Sequence, residues 1–197
     1  MRKCIIFFIV VFIAFCGCSN ELGDDEIANL LGTEKLPYEY YHASFVIDPY
    51  NLVEVTTYVD YVFVGKVTGY NKTEYSNELI RTYYEVEVEE NIKGKLIKDK
   101  EIILVKSGGI TENHEKFSVC YDDILPKIGE KYVFCAYVME YIDELYCFGP
   151  NTVCKVNNTN LMEDKAYLQY TEASKKTAQD IFEGKHIVSR YDVDYKK

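Results

Sequence analysis

DYVFVGKVTGY (Asp60–Tyr70), RTYYEVEVEENIKGK (Arg81–Lys95) and KEIILVK (Lys100–Lys106) are three apolar, β-branched and aromatic runs set apart by polar breaks. In the second, Tyr84, Val86 and Val88 alternate with Glu85, Glu87 and Glu89. That period of two belongs to a strand with one face on a core and a row of carboxylates toward water. Tyr61–Val64 is apolar on both faces, as a strand buried in a barrel should be, and Gly65 permits a bulge or sharp coil that bends it round a corner. Gly69-Tyr70-Asn71 is expected to end this strand, leaving Lys72–Glu78 as a polar loop. Ile102–Val105 reads as the third strand, broken by Ser107-Gly108-Gly109.

Further along, Ile110–Glu130 reads as irregular, Tyr132–Met139 (YVFCAYVM) as a strong strand, and Leu145–Phe148 and Val153–Val156 as shorter ones. Before the first run, Asp48-Pro49 suits a helix start with Asp48 as cap, and Leu52, Val55 and Val59 recur at helical spacing. The clearest helix follows Asn157-Asn158-Thr159. Asn160 with Glu163 suits a capping box, and Ala166, Tyr170, Ala173, Thr177 and Ile181 form one face. Gly184, Lys185 and His186 supply its end. Such a helix is expected to lie as a lid on the strands, burying Tyr170, Ile181 and Phe182. The remaining residues, 187–197, are polar and expected to be loosely held.

The order of these runs, completed by IGEKYVFC at Ile128–Cys135, resembles the netrin-like OB barrel of tissue inhibitors of metalloproteinases and of many Gram-positive lipoproteins. The likeness covers Asp60 to Cys135 and rests on hydrophobic patterns, so it bears on fold rather than activity. The expected architecture is mainly β with flanking helices: a five-stranded OB-like Greek-key barrel with a C-terminal amphipathic helix. Residues 48–186 would form this unit, preceded by a tether and aromatic lead-in over 18–47 and followed by the tail 187–197.

The first residues read as processing information. Arg2 and Lys3 precede an apolar stretch from Cys4 to Phe15, and Phe15-Cys16-Gly17-Cys18 closes it. Twelve apolar residues span roughly 18 Å as a helix, short of the roughly 30 Å hydrocarbon core. The ending resembles the lipobox of bacterial lipoprotein signal peptides, which implies removal of residues 1–17 and diacylglycerol on Cys18. Such a protein is anchored in the cell membrane by lipid and faces away from the cytoplasm. Loss of Arg2 and Lys3 takes the formal charge from −10 to −12. That balance argues against nucleic acid and against spreading on an anionic membrane, so membrane contact would be through the lipid alone. Residues 19–36 mix acidic and small polar residues, with room for one helical turn at Ile27–Leu31. Pro37–Ile47 (PYEYYHASFVI) suits an edge strand or a partner-binding segment.

Cys120, Cys135, Cys147 and Cys154 remain beyond the anchor. If Pro150-Asn151 closes a tight hairpin, Cys147 and Cys154 fall opposite each other and could form a disulfide; buried free thiols are the other reading. No C-x-x-C spacing suggests zinc. His42, His114 and His186 belong to no metal or nucleophile motif. Glu112, His114 and Glu115 suit a solvated loop, and Asp122-Asp123 is only half of an acidic metal site. Glu85, Glu87 and Glu89 suit a solubilising face. Ser107-Gly108-Gly109 lacks the Lys and helix start that would hold a phosphate.

No residue is therefore assigned to catalysis, metal or cofactor. Nineteen Tyr and no Trp suit strands whose phenol rings cover half-exposed faces, and they are numerous enough to furnish an aromatic binding patch, with core packing as the other reading. Tyr84, Tyr121 and Tyr141 are among its candidates, with Tyr83, Tyr132, Tyr137 and Tyr146 as the expected face for an envelope protein, peptide or glycan. The resemblance also raises protease inhibition, in which a free amino-terminal cysteine reaches a catalytic zinc. Here lipid would occupy the Cys18 sulfur and a tether would separate it from the barrel, so that mechanism does not carry over; inhibition through the barrel loops and an enzyme with an unrecognised site are the other readings. Mass spectrometry of the mature amino terminus is expected to find diacylated Cys18; unacylated protein in the cytosol would overturn the anchor.

Overall fold

A computed structural model describes residues 23–33, 35–76, 79–176 and 187–196. The expectations for residues 1–17, Cys18, Thr177, Ile181, Phe182, Gly184, Lys185 and His186 lie outside the described residues. From the N-terminal side come α1 (Asp24–Thr33), β1 (Tyr38–Tyr41), α2 (Leu52–Tyr58), β2 (Tyr61–Ser76) and β3 (Leu79–Lys93). Next are β4 (Glu101–Ser107), β5 (Gly109–Ile110), β6 (Phe117–Cys120), β7 (Lys131–Met139), β8 (Glu144–Cys147), β9 (Val153–Lys155) and α3 (Lys165–Ala173).

The three runs that opened the sequence share one sheet. Its strands are hydrogen-bonded in the order β2-β3-β4-β8-β7-β9, and β7 also pairs with β2, giving a ring-like sheet. β4 and β8 run parallel, whereas β2–β3, β3–β4, β7–β8 and β2–β7 are antiparallel. A second sheet, β1-β6-β5, joins β1 to β6 in parallel. Tyr38–Tyr41 is thus the edge strand that the aromatic lead-in suggested.

The unbroken apolar run of β2 has a two-sided explanation. Tyr61 and Phe63 point into the ring, with the Phe63 and Phe134 ring centroids 5.4 Å apart. Val62 and Val64 point outward and pack with Val133 and Cys135 beneath Val55 from α2, Val59 just past its end, and Tyr167 and Tyr170 from α3. Each such side chain taken out of water contributes about 1.5–3 kcal/mol. The register slips between Val64 and Gly65 as expected. A Cβ on Gly65 would stand 2.5 Å from Val86 Cγ1, so the bend needs glycine.

Four expectations are corrected. Lys72–Ser76 is strand rather than loop: β2 continues to Ser76, pairing Thr73 with Thr82 and Tyr75 with Ile80. This part extends past the core, so its polar composition conceals the ladder. Ile110–Glu130 includes a strand, β6, whose Phe117 and Val119 are buried. The single turn foreseen at Ile27–Leu31 is a ten-residue helix, α1, burying those two side chains in the interior cluster.

The fourth correction concerns residues 187–196, which are held rather than loose. Ile97 N–H donates to Tyr191 O at 2.9 Å and Val193 N–H to Lys95 O at 3.0 Å. Asp60 accepts from Ile187 N–H at 3.0 Å through one oxygen and from Val138 N–H at 2.8 Å through the other. The polar composition of this stretch hid its buried anchor, Tyr191.

Helix caps shift by a few positions. Asn51, not Asp48, caps α2, accepting from Val53 N–H at 3.1 Å, while Asp48 accepts from Tyr50 N–H at 2.9 Å. Asn160 and Glu163 do bond each other, but they open a 3₁₀ turn, and Asp164 caps α3. Asp164 accepts from the backbone of Tyr167, Asn157 and Asn158. Although burial opposes its charge, these donors hold the carboxyl below its usual range. Ala166, Tyr170 and Ala173 form the buried face, as expected.

Tyr84 is fully buried in the ring, yet its hydroxyl has no hydrogen-bond partner. Tyr84→Phe removes an unsatisfied polar group and is expected to raise unfolding stability by about 1 kcal/mol in urea titrations. A loss of that size would mean the hydroxyl is satisfied in solution.

Candidate functional site

Strand register lines up a row of side chains on the outer side of the ring-like sheet. Tyr83 pairs with Val105, Val105 with Tyr146, and Tyr146 with Tyr137. Cross-strand partners share a face, so these four side chains form one row across β3, β4, β8 and β7, on the outside of the ring. The Tyr137 and Tyr146 rings meet edge to face at 5.5 Å. Tyr58 from α2 and Phe148 extend the aromatic surface, with centroids 6.1 Å and 6.0 Å from Tyr137.

A groove of about 550 Å³ opens beside this row. Tyr137, Tyr146, Met139 and Ile187 provide its apolar walls, and Glu140 and Tyr141, just past the end of β7, form its rim. Arg81 supplies the cation. It precedes Tyr83 by two residues in β3 and so faces the same way. Its Nε is buried without a hydrogen-bond partner. Glu74, directly across the ladder, is held instead by Lys72 at 2.5 Å and by the Tyr83 hydroxyl at 2.6 Å. Those donors keep the Glu74 carboxyl below its usual range. Burial, reinforced by Tyr146 and Tyr58, pushes the Tyr137 phenol well up, so it presents a neutral hydroxyl.

The four tyrosines expected to form one face divide. Tyr137 and Tyr146 line the groove. Tyr83 belongs to the same row but is buried, with the Lys72 ammonium 4.4 Å from its ring centroid. Tyr132 points into the ring, its hydroxyl donating to Glu130 at 2.7 Å. Parity decides this outcome: Tyr132 pairs at an inward position and Tyr137 at an outward one. Arg81, Met139 and Ile187 were missed, although the period of two through Tyr83 would have placed Arg81 on the outer face.

Of the other candidates, Cys147 sits in the interior cluster and Cys154 packs against the outer one. β8 and β9 both pair with β7, Tyr146 opposite Tyr137 and Cys154 opposite Val133, so they do not form the expected hairpin. The four described cysteines are free thiols. His42 is exposed beside the Tyr121 ring, and His114 occupies a turn at φ 59°. Among the described residues no three His, Cys, Asp or Glu converge as a metal site, and no helix is long and apolar enough to cross a membrane.

Asp123 has another role than the half metal site suggested. Lys106 follows Ile102 and Leu104 at period two and therefore turns inward, where its buried ammonium bonds the buried Asp123 carboxylate. Asp123 also accepts from Ile124 N–H at 2.8 Å. Burial alone would depress the ammonium pKa, but Asp123 outweighs it and holds Lys106 above its usual value.

The chain matches no protein-family model, and no curated protein is significantly similar to it.

Removing one member of the buried pair strands the other. Asp123→Ala is expected to cost about 3–5 kcal/mol, whereas Lys106→Met with Asp123→Leu recovers most of the loss. Because the folded pKa of Lys106 is raised, the pair's contribution is complete below the unfolded value and fades as pH rises through the folded one. Urea titrations across alkaline pH should therefore show a steeper fall for the native chain than for the double variant.

Proposed function

We propose that this chain is a lipid-anchored binding module of the cell envelope that holds its ligand in the groove at Arg81, Tyr137 and Tyr146. Aromatic walls, a neutral phenol and one cation hold a ligand without bond-making, and that surface carries the reading. The ring is read as a five-stranded OB-type barrel of the netrin-like kind. The strand order and the parallel β4–β8 pairing support this assignment. OB barrels take ligands on the face of their second and third strands and at the loops joining strands one to two and four to five. Counted from β2, those are β3, β4 and the turn holding Glu140 and Tyr141, which adjoin the groove. The signal-peptide pattern ending at Cys18 supports attachment through lipid, with an envelope protein, peptide or glycan as ligand.

A photo-crosslinking residue at Tyr141 in intact cells tests this reading, with Glu172 on the exposed side of α3 as the control position. An adduct is expected at Tyr141 alone. Tyr137→Ala or Tyr146→Ala should reduce it roughly tenfold, the effect of losing an aromatic anchor worth about 1.4 kcal/mol. Equal adducts at both positions, or a Tyr141 adduct indifferent to those substitutions, would overturn the groove as the binding site.

A further inference from the structure

Resting on that reading, we infer that the groove takes a carboxylate, seated on Arg81 and carried on an aromatic or aliphatic body. The chain has 32 acidic and 22 basic side chains, so a cation that makes no ion pair among the described residues is unexpected; Glu74 feels the Arg81 charge without bonding it. Two carboxylates near the groove are already engaged: Glu74 holds Lys72 and Tyr83, and Glu144 bonds Arg190 at 2.5 Å and Tyr191 at 3.0 Å. Arg81 retains a buried Nε with nothing to bond. A planar guanidinium fork matches the two oxygens of a carboxylate, a geometry that an ammonium does not reproduce.

The remaining lining sets the rest of the ligand. Tyr137, Tyr146, Met139 and Ile187 are apolar surfaces, suited to a ring or branched side chain attached to the anion. Glu140 on the rim disfavours a second negative charge, which selects a carboxylate over a dianionic phosphate. The volume, about 550 Å³, falls among small-ligand sites of roughly 300–1,000 Å³. It accommodates a free aromatic acid or the last residue of a peptide; both present the same carboxylate beside the same ring.

The test uses the full acylated protein in detergent and follows arginine side-chain NMR signals. Four probes are titrated to millimolar concentration: N-acetyl-tyrosine, its amide, a short peptide ending in a free tyrosine, and that peptide amidated. At least one acid is expected to bind about tenfold more tightly than its amide, a difference of about 1.4 kcal/mol, and to shift the Arg81 Nε–H signal. Arg81→Gln should abolish the difference between acid and amide, while cooperative urea unfolding reports that the fold is intact. Arg81→Lys should recover only part of the difference. Preference for the single amino acid or for the peptide identifies the source, and either supports the inference. Equal binding of acid and amide within the groove would overturn the carboxylate seat and leave the groove reading standing. Binding of no probe, or equal competition by inorganic phosphate, would also overturn it, with the crosslinking result unaffected.

Discussion

From Val62 to Lys66 the backbone of β2 is hydrogen-bonded along both edges, to β3 on one side and β7 on the other. A strand held on both edges offers no free ladder to another chain, but both its faces must then be covered. Tyr61 and Phe63 meet the interior; Val62 and Val64 require a second layer, which α2 and α3 provide. Lys93 at the end of β3 fastens that layer by donating to the carbonyls of Thr56, Thr57 and Val59 at the C-terminal end of α2, at 2.7, 3.1 and 2.6 Å. A cation there satisfies carbonyls that a helix end leaves open and complements the helix dipole.

What could be read in advance was whatever repeats along the chain. Alternation through Tyr84, Val86 and Val88 gave β3 its inward face, and Gly65 marked the bend. The polar half of β2 gave no such signal, because Lys72–Ser76 has no core to alternate against. α1 and the terminal segment were obscure for a related reason: each is held by very few buried apolar side chains, Ile27 and Leu31 in one and Tyr191 in the other. Lys106 is instructive because its parity pointed inward all along. Only tertiary structure supplies the counter-charge, since Asp123 reaches it from an irregular stretch seventeen residues later.

The groove depends on the same arithmetic. Three tyrosines share a row because three strand pairs are in a particular register, and a slip of one residue in β7 would turn Tyr137 inward and Tyr132 outward. Composition announced a surplus of tyrosine without saying which ones would be exposed. It also could not show that Glu74 would turn from Arg81 to Lys72, a choice made by side-chain geometry within the β2–β3 ladder. The character of the site therefore follows from an ordinary cation whose cross-strand carboxylate is engaged elsewhere.

Val138 and Ile187 both line the groove, and one carboxylate fastens both backbones: Asp60 takes the amide of the first on one oxygen and the amide of the second on the other. The two walls come from chain segments almost fifty residues apart, clipped together by a side chain that is not part of the lining. The width of the cleft is thereby set from behind, like the jaws of a vice by its screw. Natural variation at this one position would retune which shapes fit without altering a single residue that a guest molecule touches.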